Sequence, residues 1–173
     1  KKIDCRRVIG GDFSSQTYSK YFKINKVSNF NSRYIHNFGF MVGNYDKNLN
    51  LDLTKLSKSI NKKTNLVIIA NPNSPTGTVI DQKNLLKLIK LCKKFNSYLL
   101  IDECYFGYYS KTIIKYVKSY NNLIISRSLS KIGLAGCRIG YLIASRNTTK
   151  MLYKFRPFYE ISSFSCLVFK SIL

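Results

Sequence analysis

Leu66-Val67-Ile68-Ile69-Ala70-Asn71-Pro72-Asn73-Ser74-Pro75-Thr76-Gly77 joins an uninterrupted apolar run to a segment that no regular element can continue. Five apolar residues in a row fit a strand covered on both faces, as in a parallel sheet. Two prolines and a glycine then stop any ladder or helix. Downstream, Asp81 is placed to cap a helix. Leu85, Leu86, Leu88, Ile89, Cys92 and Phe95 mark its apolar face, with Lys83, Lys87, Lys90, Lys93 and Lys94 on the other side. Tyr98-Leu99-Leu100-Ile101 is a second buried strand, ending in Asp102-Glu103. Leu123 to Ile125 and Ile139 to Ala144 are two more, with Ser126-Arg127-Ser128-Leu129-Ser130-Lys131 and a glycine-rich link to Arg138 between them. A cap at Asn147 or Thr148 predicts a helix through Phe155; Pro157 interrupts it, and Ser162 or Ser163 starts another. Upstream, Leu51 to about Ile60 is a short amphipathic helix behind a polar loop, and Phe38 to Val42 is a short apolar piece of strand character. Residues 1–37 show no clean period. Strand, helix and strand in repetition predict an α/β domain, a mostly parallel sheet with flanking helices. Ligands of such sheets bind beyond the carboxyl ends of the strands, where Asn71, Asn73, Asp102 and Ser126 to Ser130 fall.

Composition narrows the function classes. The chain has 173 residues, 45% hydrophobic, enough for one core. It carries 29 Lys and Arg against 8 Asp and Glu, a formal charge of +21. That charge suits a nucleic-acid partner, but the basic residues are scattered and the tyrosines too dispersed to form a base-stacking platform. Abundant Lys, Asn, Ile, Tyr and Phe share A/T-rich codons, so genome composition stands beside a nucleic-acid partner as an account of the charge. Cys5, Cys92, Cys104, Cys137 and Cys166 lack metal-ligand spacing and read as reduced thiols. One histidine, His36, leaves no basis for a zinc site and reads as a loop residue. No apolar run has membrane-spanning length and no signal peptide is visible, so the cytoplasm is the expected compartment.

A carboxylate at a strand end, a lysine in a turn, neighbouring hydroxyls and an arginine are what pyridoxal phosphate requires: an amine for its aldehyde, an acid for its ring nitrogen and an anion cradle. On this reading Lys131 forms the Schiff base and later moves the proton, and Asp102 faces the ring nitrogen. Tyr105 and the Asn73 amide reach the ring hydroxyl, and Ser128, Ser130 and Arg138 hold the phosphate. Glu103 is expected to be structural, and Arg127 and Arg156 to lie at the surface.

Asn-Pro-Asn-Ser-Pro-Thr-Gly (71–77), Ile-Asp-Glu-Cys-Tyr (101–105) and Ser-Leu-Ser-Lys (128–131) with Arg138 stand in the order and at the separations seen in fold-type I pyridoxal-phosphate aminotransferases, class I/II. The chain resembles that family, and within it the histidinol-phosphate aminotransferase branch, which Gly133 to Tyr141 and Arg156 to Tyr159 also resemble. The resemblance implies that residues 38–173 are a partial large cofactor-binding domain, lacking an N-terminal part and a small C-terminal domain, and that a fragment alone is inactive. It implies the same roles for Lys131, Asp102, Tyr105, Ser128, Ser130 and Arg138, an amino donor and a 2-oxo acid acceptor as substrates, and a homodimer. Gln16-Thr17-Tyr18 resembles the family's Pro-Thr-Tyr, whose tyrosine stacks on the cofactor. Two departures stand out: Ser74 replaces the Asn common before Pro-Thr-Gly, and the Lys131–Arg138 segment is one residue shorter than in many relatives. A decarboxylase on the same scaffold, a basic nucleic-acid-binding module and a non-catalytic remnant are the alternatives.

Overall fold

The computed structural model describes residues 8–10, 41–42, 46, 48, 50–155 and 161–172. Tyr18, His36 and Arg156 lie outside them. Six strands form one sheet: β1 (Val8–Gly10), β2 (Met41–Val42), β3 (Leu66–Ala70), β4 (Tyr98–Asp102), β5 (Leu123–Ser128) and β6 (Gly140–Ala144). Their order is β2-β1-β3-β4-β5-β6. All neighbours pair in parallel except β5 and β6, which run antiparallel. The mostly parallel sheet expected from the sequence is therefore present.

Alternation sorts the strands' apolar residues into two clusters. Val67, Ile69, Leu99, Ile101, Leu123 and Ile125 pack with α1 (Leu53–Ser59) and α2 (Gln82–Lys94). Leu66, Ile68, Leu100 and Ile124 form the opposite face, against which Leu152 of α3 (Arg146–Tyr153) packs. Burial on both faces explains why β3 reads as a continuous apolar run. Each such Leu or Ile contributes roughly 1.5–3 kcal/mol by leaving water.

The helices obey their caps. Asp81 accepts the Asn84 N–H at 2.8 Å, and Leu85, Leu88, Ile89 and Cys92 recur at the helical spacing as the buried stripe of α2. Asn96 ends it in the left-handed region at φ 57°, a conformation asparagine tolerates. Helix α3 begins earlier than its predicted cap because Ser145 accepts the Thr148 N–H at 3.4 Å. A fourth helix, α4 (Ser163–Ile172), puts Val168 and Phe169 against Leu129, Cys137 and Ile139, a small core beneath the link between β5 and β6.

Candidate active site

The carboxyl ends of β3, β4 and β5 stand in register, Ala70 beside Asp102 and Asp102 beside Ser126. Period-2 alternation puts Asp102 and Ser126 on the face of Leu100 and Ile124, and Glu103 and Arg127 on the face of α2. Asp102 Oδ1 accepts the Cys104 N–H at 3.1 Å and the Ser126 hydroxyl at 3.3 Å. Those donors fix one carboxylate oxygen at the head of the strand.

On the other face Glu103 is 3% exposed. Its Oε2 receives Arg127 Nη2 at 2.8 Å and Nε at 3.1 Å, and the Thr112 hydroxyl donates to it as well. The guanidinium also lies 4.5 Å from the centre of the Phe106 ring. Burial pulls the Arg127 pKa down, but hydrogen bonds and charge from Glu103 and the Tyr141 phenol outweigh it and raise the value. Arg127 thus differs from the surface residue expected. Its partner comes from a neighbouring strand, and an unpaired guanidinium there would be costly. Glu103 is structural, as expected.

The lysine follows β5 in a 3₁₀ turn, Leu129–Lys131, capped by Ser128, whose hydroxyl accepts the Ser130 N–H at 3.1 Å. Accepting through Oγ leaves the Ser128 hydroxyl proton available to a ligand. Leu129 is buried and anchors the turn, whereas Lys131 is exposed, its Nζ 5.3 Å from the centre of the Tyr105 ring. Gly133 takes φ 93°, and a second 3₁₀ turn, Ala135–Cys137, ends at Arg138 with φ 52°. A non-glycine residue there costs about 1–2 kcal/mol. The burial of Cys137 and Ile139 on either side holds Arg138 in that conformation, with its side chain exposed.

The loop after β3 is tied down by its own amides. Asn71 Oδ1 accepts the Ile80 N–H at 2.7 Å, and the Asn71 N–H donates to the Asp102 carbonyl at 2.9 Å. Asn73 is 8% exposed and its Nδ2 donates to Thr76 Oγ1 at 2.7 Å, within the loop. The exposed Ser74 faces the site: its hydroxyl and that of Tyr105 share a hydrogen bond of 3.4 Å. Sequence reasoning put an amide there; the signal for Ser74 was its position directly before Pro-Thr-Gly. Both the Asn71–Pro72 and Ser74–Pro75 bonds are cis. A cavity of about 160 Å³ is lined by Leu51, Ile69, Asn73, Thr78 and Asp81 among others, so Asn73 borders it whereas Asp102, Tyr105 and Lys131 do not.

Cys104, between Asp102 and Tyr105, is no nucleophile. Burial, reinforced by the Asp102 charge and only partly opposed by Lys131, pushes its thiol up to about 12. No group of three metal-ligating side chains exists among the described residues. No helix among them is long and apolar enough to cross a membrane. The structure thus gathers Asp102, Tyr105, Ser74 and Lys131 at one end of the sheet, with Ser128 and Ser130 on the lysine turn and Arg138 beyond it. An amine, a carboxylate, a phenol and a turn bearing hydroxyls are groups suited to carbonyl–amine chemistry on a phosphorylated ligand.

Comparison with known proteins places the chain in a family. The chain is 39% identical over 126 residues to histidinol-phosphate aminotransferase of a Thermoanaerobacter species, an alignment covering 72% of this chain and 35% of that protein. The chain thus spans about a third of the length of such curated relatives. A histidinol-phosphate aminotransferase from Clostridium acetobutylicum superposes with a TM-score of 0.70 at 22% identity, over 95% of this chain and 48% of that one. A PLP-dependent aminotransferase from Streptococcus suis superposes with a TM-score of 0.66 at 26% identity, over 94% and 42%. The family described as aminotransferase class I and II matches residues 8–173, and the chain belongs to it.

Proposed function

We propose that the chain is the cofactor-binding part of a pyridoxal-phosphate aminotransferase of the histidinol-phosphate type. It moves an amino group between an amino acid, or an amino phosphate such as histidinol phosphate, and a 2-oxo acid. The observation that carries this is the convergence of Asp102, Tyr105 and the Lys131 amine at the carboxyl ends of β4 and β5, with Nζ 5.3 Å from the Tyr105 ring.

The donor set fits the cofactor. Ser126 and the Cys104 N–H fix one oxygen of Asp102, which suits a carboxylate that must face a ring nitrogen from a constant direction. The exposed Lys131 amine would hold the cofactor through its aldehyde, and its Nζ is the base that would move a proton at the substrate Cα. The Tyr105 hydroxyl, with the Ser74 hydroxyl beside it, would hold the ring hydroxyl. Ser128, Ser130 and Arg138 would bind the phosphate, the serines through hydroxyls carried on a turn that Ser128 caps. When bound, the cofactor supplies the electron sink that acidifies the Cα–H bond.

Residues 38–173 are on this reading a partial large domain. Other parts of the protein supply the substrate-carboxylate contact, a second subunit completes a homodimer, and the enzyme works in the cytoplasm. Nucleic acid has no part in it.

The test is to mix the protein with pyridoxal phosphate, reduce with borohydride and map the peptides by mass. The adduct is expected on Lys131 and to vanish in Lys131→Ala. Adducts scattered over surface lysines in the complete gene product would overturn the assignment. With an amino acid and 2-oxoglutarate the complete enzyme is expected to form glutamate; release of carbon dioxide instead would make it a decarboxylase.

A further inference from the structure

Tyr105 leads directly into a 3₁₀ turn, Phe106–Tyr108, which lies against the lysine turn. Tyr108 is 75% exposed, yet its hydroxyl donates to the backbone carbonyl of Lys131 at 2.9 Å. That carbonyl closes a single 3₁₀ turn, where the last C=O groups have no partner within the turn. A Cβ added at Gly107 would come within 2.7 Å of Ile132 Cγ2, so the Ile132 side chain packs on the Gly107 backbone in space that only a glycine leaves open. The Tyr105 and Tyr108 rings meet edge to face at 6.0 Å, and Lys131 Nζ lies over Tyr105. Beneath them the Glu103–Arg127 pair and the Phe106 ring on the guanidinium fix the base of the segment to β5.

We infer that Tyr108 and Gly107 are positioning residues for Lys131. The 106–108 turn is a strut that fixes the main chain from which the lysine amine projects, and thereby the direction of that amine. The inference rests on the reading of Lys131 as the cofactor's amine. A lysine has four rotatable side-chain bonds, so an anchored backbone removes one large source of misdirection, and small misplacements of a reacting group cost rate steeply. Neither residue touches the reacting atoms.

The experiment uses the complete protein with Tyr108→Phe, Gly107→Ala and Gly107→Ala/Ile132→Ala, and pyridoxal phosphate as the probe. The readouts are cofactor affinity by titration, the share of borohydride-trapped label on Lys131 at limiting cofactor, and the unfolding midpoint. Tyr108→Phe removes one hydrogen bond from an exposed ring. It is expected to weaken cofactor binding ~3- to 10-fold, the range for one net hydrogen bond, to lower Lys131 labelling in the same ratio, and to lower the unfolding midpoint by no more than about 2–4 °C. Gly107→Ala is expected to act in the same direction, and removing the Ile132 branch to restore labelling. Parental labelling in both single variants would overturn the inference, and so would losses that track the unfolding midpoint. An unlabelled Lys131 in the parent would overturn the earlier assignment along with it, which keeps the two failures apart.

Discussion

Replacing Arg127 by Met removes one half of a buried ion pair and leaves the other half in place. The side chains of Arg127 and Glu103 are 13% and 4% exposed, so water cannot take over the lost partner. Glu103 forfeits two charged donors, at 3.1 and 2.8 Å, and keeps the Thr112 hydroxyl at 2.8 Å and a long contact to the Ile113 N–H at 3.4 Å. Stranding a buried charge costs about 3–5 kcal/mol. The surviving donors favour the lower end, about 3 kcal/mol. In a domain of this size each kcal/mol moves the midpoint by about 2–4 °C, so a fall of about 6–12 °C is expected. Glu103→Leu/Arg127→Met strands no charge and is expected to melt within about 1 kcal/mol of the parent. Arg127→Lys belongs between them, because an ammonium offers a point charge where the guanidinium offers a fork. Thermal unfolding followed by circular dichroism at physiological salt measures all three, with the repulsion of a +21 chain screened. A single variant that melts with the parent, or a double variant that falls as far as the single, would refute the reasoning.

Three further outcomes are expected. Burial pushes the thiols of Cys92 and Cys104 up to about 12, so alkylation at pH 8 followed by peptide mapping should label the exposed Cys166 and spare both. The same shift has a pH sign. Each thiol holds its proton more tightly folded than unfolded, so its stabilising contribution is complete below the ordinary value of 9.0 and is lost as pH rises towards about 12. The slope approaches about 1.4 kcal/mol per pH unit for the buried Cys92 within that window, solvent makes it smaller for the half-buried Cys104, and Cys104→Ala should flatten denaturant midpoints measured there in part. Gly77 sits at φ 69° with no atom within 4 Å of an added Cβ, so Gly77→Ala should cost only the backbone term, about 1–2 kcal/mol by urea unfolding.

The parts of the fold that were legible are those whose signal is local. The apolar runs at Leu66–Ala70 and Tyr98–Ile101 announce strands covered on both faces, and Asp81 announces a helix by the side chain that caps it. Strand β5 continues to Ser128, past its apolar part, because Ser126–Ser128 pair with Gly140–Leu142 and not because those residues favour a strand. The reversal of β6 was equally hidden, since alternation reads the same in either direction. In the site, Asp102 was legible as the polar residue at the end of an apolar strand, and Lys131 from the residues around it. Arg127 was not, because its partner stands in another strand and becomes a neighbour only once β4 and β5 are in register. The inward turn of the Asn73 amide and the outward turn of Ser74 depend on hydrogen bonds within one loop, which composition does not encode.

The antiparallel pairing of β5 with β6 also bears on the order of assembly. Residues 129–139 return the chain to the strand it has just left, whereas β4 meets β3 and β5 only after crossovers through residues 71–97 and 103–122. Short closures form before long ones, and parallel pairings are slow because their entropy is lost before their contacts form. The hairpin that carries Lys131 can therefore take shape while Asp102 still has no neighbour. The amine and the acid become members of one site only when β4 is seated between β3 and β5, and the 106–108 turn that holds the Lys131 carbonyl arrives with that strand.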